Sequence, residues 1–475
     1  MSTHIARPLS GESVRPDAVH DDYPALPYAW YAVVVLLIVY SIAFVDRIIL
    51  SLMVKPIRAE LLLSDTGISM LQGFAFTIFY SVFGILLGRH ADRANRKVMI
   101  IAGVVVWCVA TAACGLAENF WQLFIARIFV GAGEACLSPA AYSMICDNFR
   151  RQHRSRAISA YSTGVFLGTG CALIFGGMLV ASISKAGVVD LPLLGQMTAW
   201  RASLIVIGLM GLVAVLLLGS LREPSRKEVT KAGATFADSL AFFKSRGVAL
   251  GTIFFLNALI ALMNYSIFAW LPTYFMRVFN WSTAAIAITY GIVLLTVGCA
   301  GILGGGWLAD RLVAGGRRDA MMFVQRCSIS LLVIVSGWLG FVDSPTVAIV
   351  FLAMTSFLTG VSTGLTPAAL NAITPNQFRG QVMSVYLFCA ALLGLGLGPT
   401  AVALFTDYVF HNDNAVGMSL GIVLVIASLL AAISAFAGAR AYREAVDMAD
   451  TGRGRGAAAE PAANAMLSST ALQDA

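Results

Sequence analysis

Four ionisable residues, Asp46, Arg47, Arg127 and Glu134, stand well inside long apolar stretches of the sequence. An ionised side chain at the centre of a membrane-crossing helix costs about 2.5 to 3.5 kcal/mol on insertion scales, so each needs a partner or a function. Arg127 and Glu134 are seven residues apart, which on a helix places them on one face and about 10 Å apart along its axis. Two chemistries suit the set. In one, Arg47 and Arg127 hold an anionic group of a substrate while Glu134, with Asp46, takes up a proton, and occupation of an arginine by substrate moves the proton equilibrium. In the other, the charges only neutralise one another and fix helix packing, a role that apolar residues fill as well as buried pairs do.

The stretches that hold these residues read as membrane helices. Of 475 residues, 59% are hydrophobic and 12% charged, and the mean hydropathy is +0.82. Soluble domains are about one-quarter charged, which excludes that class. The apolar excess excludes disorder, the lack of a Gly-X-Y period excludes collagen, and eight cysteines are few for a disulfide scaffold of this length. Runs such as Tyr31 to Leu52 are unbroken, unlike the alternating segments of about ten residues in a β-barrel. Twelve such segments, from roughly 30–54 to roughly 415–439, suit a hydrocarbon core that takes about 20 helical residues to cross. Residues 1–22 are polar without an apolar core, so no cleavable signal is expected before the first span.

Basic residues fall on one side of this pattern: Arg89, Arg93, Arg96 and Lys97, then Arg150, Arg151, Arg154 and Arg156, then the loop after the sixth segment, then Arg311, Arg317 and Arg318. The other side offers little beyond Lys55, Arg58, Lys185 and Arg277. The basic loops are therefore expected in the cytoplasm with both termini, in a multi-pass protein of the plasma (inner) membrane. The net charge of +7 has the same origin and gives no reason to expect nucleic acid. The expected organisation is an N-terminal tail (1–27), a six-helix bundle (28–221), a linker (222–247), a second six-helix bundle (248–442) and a polar, Ala-rich, disordered tail (443–475). In the linker, Phe236, Leu240 and Phe243 recur at helical spacing and predict a short amphipathic helix at the membrane interface.

Gly88-Arg-His-Ala-Asp-Arg93 follows the second segment and Gly306-Trp-Leu-Ala-Asp-Arg311 the eighth, the same G-x-x-A-D-R at matching places in two sets of six. A parallel repeat of two six-helix bundles resembles the major facilitator superfamily. Arg127-Ile-Phe-Val-Gly-Ala-Gly133 is similar to that superfamily's R-x-x-x-G-x-G signature, and Leu221-Arg-Glu-Pro224 to its exit from the first half. Gly164, Gly168, Gly170, Gly176 and Gly177 resemble its glycine-rich fifth helix, without the usual Gly-Pro pair. Within the superfamily, Asp46-Arg47, Asp92-Arg-Ala-Asn-Arg-Lys97, Trp107 and Val130-Gly-Ala-Gly-Glu-Ala135 resemble the Spinster subfamily of lysosphingolipid and lysophospholipid transporters. The resemblance implies an all-α integral membrane fold of twelve transmembrane helices in two bundles, working by alternating access. It sets spans one and four side by side, so that the four charges cluster on a central cavity. It also implies conformational gating by Gly88, Asp92, Arg93, Arg96, Asp310 and Arg311, in which glycine lets helices approach and the charged groups hold the cytoplasmic face shut.

The second half has no Asp, Glu, Lys or Arg from Val248 to Met276 or from Pro345 to Phe378. Its cavity candidates are neutral: Asn257, Asn264, Tyr265, Thr363, Thr366 and Asn371. A charged half facing a neutral one suits an amphipathic anion, although divergence of a duplicated half would leave the same pattern. The aromatics of the seventh segment, Phe254, Phe255, Phe268, Trp270 and Tyr274, read as packing or an interface belt. No C-x-x-C pair, intramembrane histidine or catalytic constellation is present, so neither metal nor cofactor is expected, and the protein is not read as an enzyme. The expected substrate is a lysolipid or sphingosine-phosphate-like anion moved with protons, the alternative a small organic anion such as a sugar acid. The protein is expected to act as a monomer in the lipid bilayer.

Overall fold

The computed structural model describes residues 23–91, 94–150, 154, 157–158, 160–161, 163–185, 187–191, 195–226, 236–375 and 378–448. Twelve of its helices are long and apolar enough to cross a membrane. Spans one to six are Leu26–Leu52, Asp65–Gly84, Arg96–Leu116, Phe120–Asn148, Gly164–Ser184 and Ala199–Gly219. Spans seven to twelve are Gly247–Val278, Thr283–Ala314, Ala320–Gly340, Pro345–Ile373, Gln381–Phe410 and Asp413–Ala437. They form the two six-helix sets expected, and their joins alternate between a face with basic loops and an opposite face.

Local chemistry starts and interrupts these helices. Ser64, Asn95, Asn119 and Ser282 each stand just before a span and accept from the N–H three residues on, at 3.0 to 3.2 Å, satisfying donors that a helix start leaves without partners. Span four is broken into Phe120–Glu134 and Leu137–Asn148. Pro139 lacks the N–H that would bond the Ala135 carbonyl, so the ladder fails there, and Glu134 becomes the last residue of the first segment.

Spans two, five, eight and eleven each contain a π-helical turn, at Met70–Phe74, Ala172–Gly176, Leu294–Gly298 and Ala390–Leu397. These spans join the two halves, two packing on eleven and five on eight. The first contact depends on Gly73, where an added Cβ would lie 2.3 Å from the Leu395 carbonyl oxygen.

The all-α membrane fold expected from sequence is present, and three details add to or differ from that reading. Between spans five and six, β1 (Val188–Leu191) pairs antiparallel with β2 (Gly195–Thr198) in a short hairpin. Strands of four residues are too short to display a period in sequence. Glu60 of the short helix Val54–Leu61 secures this hairpin, accepting from Thr198 Oγ1, Trp200 Nε1 and Arg201 Nε at 2.8, 2.5 and 2.7 Å. Burial pushes the Glu60 carboxyl up, but hydrogen bonds from Trp200, Arg201 and Thr198 outweigh it and hold the group below the usual carboxylate range.

The linker helix is present at Phe236–Ser245, but Leu240 is exposed and the docking residue is Phe242, stacked on Phe378 with ring centres 4.6 Å apart. The last helical stretch continues through Met448, six residues into the segment read as a tail, because Ala445 and Val446 are buried against the second half.

Candidate functional site

Span one ends its α-helix at Ile48 and tightens into a 3₁₀ turn, Ile49–Leu52. Asp46 and Arg47 sit at that transition, opposite the break in span four. Arg47 Nε donates to Glu134 Oε2 at 2.5 Å, with the arginine side chain 6% exposed and the glutamate fully buried. Three rings, Phe44, Phe76 and Tyr80, each lie 5.0 Å from the guanidinium carbon, an aromatic cage that favours a cation over empty hydrocarbon.

Arg127 has a different environment. Its Nη1 donates to the main-chain oxygen of Asp46 at 3.0 Å and its Nε to that of Leu71 at 3.2 Å. Leu71 lies in the π turn of span two and Asp46 in the last α-helical turn of span one, just before its 3₁₀ segment, so this buried arginine serves main-chain oxygens at or beside those irregularities. The Asp46 carboxylate forms no ion pair among the described residues, and Oδ1 of Asp46, Nη2 of Arg127 and Oε1 of Glu134 have no hydrogen-bond partner. Three of the four charges are thus incompletely satisfied in one buried cluster, an arrangement suited to accepting a proton or an anion.

A narrow cavity between the halves reaches this cluster. Phe44, Arg47, Ile48, Ser51 and Gln72 line it from the first half, and Tyr265, Phe268, Ala269, Leu395 and Pro399 from the second. Of the four intramembrane charges, Arg47 alone borders it. Tyr265 is brought beside Arg47. Asn264 is half-buried and outside the cavity lining. Thr366 is buried away from it, donating to the Ser362 carbonyl at 2.7 Å and bonded to Gln325 Nε2 at 2.6 Å. Asn371 is exposed near the end of span ten. Gln72, the one amide in its apolar segment, was not among the residues expected at the site; that isolation is the signal that marks it.

The family model of the Major Facilitator Superfamily matches residues 36–399. The chain belongs to the major facilitator superfamily. It is 28% identical over 430 residues to an MFS-type efflux pump of Mycolicibacterium smegmatis (strain ATCC 700084 / mc(2)155), covering 89% of this chain and 94% of the relative. It is 25% identical over 404 residues to the hexuronate transporter of Bacillus subtilis (strain 168), covering 82% and 90%. Among solved structures, a bacterial homolog of the human lysosomal transporter Spinster, in its inward-facing and unoccupied conformation, superposes with a TM-score of 0.70. That pair shares 24% identity over 89% of this chain and 98% of the other, a likeness of fold.

In this member of the major facilitator superfamily, basic residues tie helix ends together within each half. Arg96, fully buried, bonds Asp147, Ser143 Oγ at 2.8 Å, Glu223 Oε1 at 2.7 Å and the Pro224 carbonyl at 2.8 Å. It therefore fastens the start of span three to the end of span four and to the Leu221–Pro224 exit. Asp92 and Arg93, expected to gate, lie outside the described residues; Gly88 lies in the helix Ala75–Ala91. Asp310 and Arg311 are exposed, and Arg311 rests 4.2 Å over the Trp307 ring. In the second half Asp319 gathers Arg317, Arg443 and Arg326 at 3.0, 2.9 and 3.4 Å. Arg326 lies six residues into span nine.

The opposite face carries a network that the sequence reading missed. Asp65, fully buried at the start of span two, pairs with Arg58 at 2.9 Å and with Arg277 of span seven. Arg58 also reaches Asp413 at 2.7 Å, and Asp407 of span eleven accepts from both N and Oγ1 of Thr66 at 2.7 Å. Every one of these except Arg58–Asp65 joins one half to the other. The carboxylates of Asp65, Asp407 and Asp413 come within 4.8 Å of one another, but two arginines already sit among them, which disfavours a further cation. The available signal was the scarcity of basic residues on this face, where Arg58 and Arg277 stand nearly alone.

Proposed function

We propose that the chain is a secondary transporter that carries an anionic, amphipathic substrate of lysolipid or sphingosine-phosphate type by alternating access, coupled to protons at Glu134. The observation that carries this reading is the 2.5 Å Arg47–Glu134 pair at the border of the cavity. While Glu134 is ionised it occupies Nε of Arg47. A proton on Glu134 removes that partner's charge and frees the guanidinium for a substrate phosphate or carboxylate. Proton and anion then favour each other's binding, which is the linkage of a symporter. The apolar side chains that share the cavity, Phe44, Ile48, Phe268 and Leu395, suit the non-ionic end of the substrate. The basic face is the cytoplasmic one and both termini lie there, in keeping with the distribution of Lys and Arg.

A sugar acid is the second reading, favoured by the length of the match to the hexuronate transporter. Uptake into proteoliposomes of labelled lysophosphatidate against labelled hexuronate, with and without an imposed pH gradient, tests both. Gradient-dependent accumulation of the lipid alone supports the first reading, that of the sugar acid alone supports the second, and accumulation of neither overturns both.

A further inference from the structure

We propose that Gln72 is the second polar arm of the substrate site and recognises a hydroxyl group borne next to the substrate's anionic centre; this rests on the reading of Arg47 as the anion-binding group. Gln72 is 5% exposed, and neither Oε1 nor Nε2 has a hydrogen-bond partner. A primary amide buried with both its acceptor and its donor unused is strongly disfavoured and calls for an absent partner. The side chain lines the same cavity as Arg47 and Tyr265. It also borders a smaller void whose other walls, Leu50, Ile57, Ile68 and Leu71, offer no polar side chain.

The partner must therefore come from within the central cavity. Ser51 already donates to the Ile48 carbonyl at 2.7 Å, and Arg47 brings donors only. The backbone at Gln72 is held in place: it lies in the π turn Met70–Phe74, and its neighbour Gly73 is pressed against the Leu395 carbonyl of the other half. π turns of this kind often mark functional positions. The backbone that carries the amide is thus held beside the cavity that the side chain lines.

A hydroxyl can use both ends of an amide at once. It donates to Oε1 and accepts from Nε2, whereas a carbonyl, ether, carboxylate or fully ionised phosphate can only accept. With the anion on Arg47, the substrate class becomes an anion with a nearby hydroxyl. A lysophosphatidate, with its free glycerol hydroxyl, and a hexuronate, with its ring hydroxyls, both carry that chemistry.

Binding to the purified full-length protein in nanodiscs separates these sources and tests the proposal. The ligands are 1-oleoyl lysophosphatidate and its 2-deoxy analogue, and galacturonate and its 4-deoxy analogue. The wild type is expected to bind the hydroxylated member of one pair about ten-fold more tightly than its deoxy partner, since a site built to hydrogen-bond a hydroxyl rejects the analogue lacking it. Gln72→Met, close in shape but without the amide, should weaken the hydroxylated ligand about ten-fold, leave the deoxy ligand within about two-fold, and so erase the preference. Should Gln72→Met fail to fold, the wild-type ratio decides alone, and equal affinities overturn the proposal. Arg47-dependent binding with no preference for the hydroxyl, or a Gln72→Met loss equal for both ligands, overturns the role of Gln72 while leaving the anion site standing. Wild-type binding of none of the four, or binding undiminished in Arg47→Ala, defeats the anion reading and this inference with it.

Discussion

Arg277 grips Asp65 through both terminal guanidinium nitrogens, at 2.6 and 2.7 Å, and so ties span seven of the second half to span two of the first. Asp65 is fully buried while Arg277 and Arg58 remain partly exposed, and the pair closes the face opposite the basic loops. The alternating access proposed above requires that this face part, and on that reading the contact breaks in each cycle.

Asp65→Asn should favour opening of that face. Removing one partner of a buried pair costs several kcal/mol, and the partial exposure of the arginines brings this to about 2 kcal/mol or more, a shift above ten-fold in the open population. Spin-label distances across the two halves at this face should lengthen; an unchanged distribution would show that the network does not hold this face shut.

Arg47→Ala should weaken binding of the anionic substrate by about one to two decades without unfolding the protein. A charge-assisted hydrogen bond is worth about 1.5 to 3 kcal/mol, or one to two decades in affinity. Arg47→Lys should recover part of the loss, because charge is kept and the planar fork is not. Isothermal binding measurements on folded variants check this, and unaltered affinity in Arg47→Ala refutes the assignment.

Glu134→Gln should mimic the protonated carrier. Substrate still binds, but a pH gradient no longer drives net accumulation in liposomes at matched protein levels. If the pair serves packing alone, the variant instead loses stability and transport keeps its pH dependence.

Gly73 and Gly131 make a paired comparison. An added Cβ would lie 2.3 Å from the Leu395 oxygen at Gly73, between the halves, and 2.4 Å from the Phe76 oxygen at Gly131, within the first half. Gly73→Ala should therefore shift the conformational equilibrium with a modest change in melting temperature, while Gly131→Ala should lower the melting temperature more, by overpacking of about 1 to 3 kcal/mol. Thermal unfolding together with inter-half distances separates the two effects, and equal behaviour of the two variants contradicts the division.

Asp319 supplies a pH-dependent contribution on the basic face. Burial pushes its carboxyl up, but hydrogen bonds from Arg443 and Arg317 outweigh this and hold it below the ordinary value of 3.8. A carboxyl depressed in the folded state stabilises that state above its unfolded pKa and loses the contribution as pH falls through its folded value. The difference in melting temperature between wild type and Asp319→Asn should thus be constant near neutrality and shrink once the pH drops below about 4. A difference that persists undiminished to pH 3 would contradict the ionic origin.

The spans, their number and the duplicated G-x-x-A-D-R loops were legible because they follow from local composition. A run of some twenty apolar residues must bury itself in hydrocarbon whatever its neighbours do, and an ionised side chain in such a run is conspicuous for the same reason. Asp46, Arg47, Arg127 and Glu134 could be picked out on that ground alone. What each one bonds could not be read this way.

Pairing depends on how helices far apart in sequence rotate and where they break. Arg47 and Glu134 meet where the α-helix of span one is about to tighten and the first segment of span four ends before Pro139. Arg127 was equally eligible as an anion site, yet packing aims it at the Asp46 and Leu71 carbonyls, while Thr366 faces Gln325 instead of the cavity. Gln72 and the Arg58, Asp65 and Arg277 network acquire meaning only when the two halves close on each other. Hydrophobic burial is set residue by residue along the chain, whereas a hydrogen bond needs its two atoms within about 3 Å, and that proximity exists only in the packed tertiary structure.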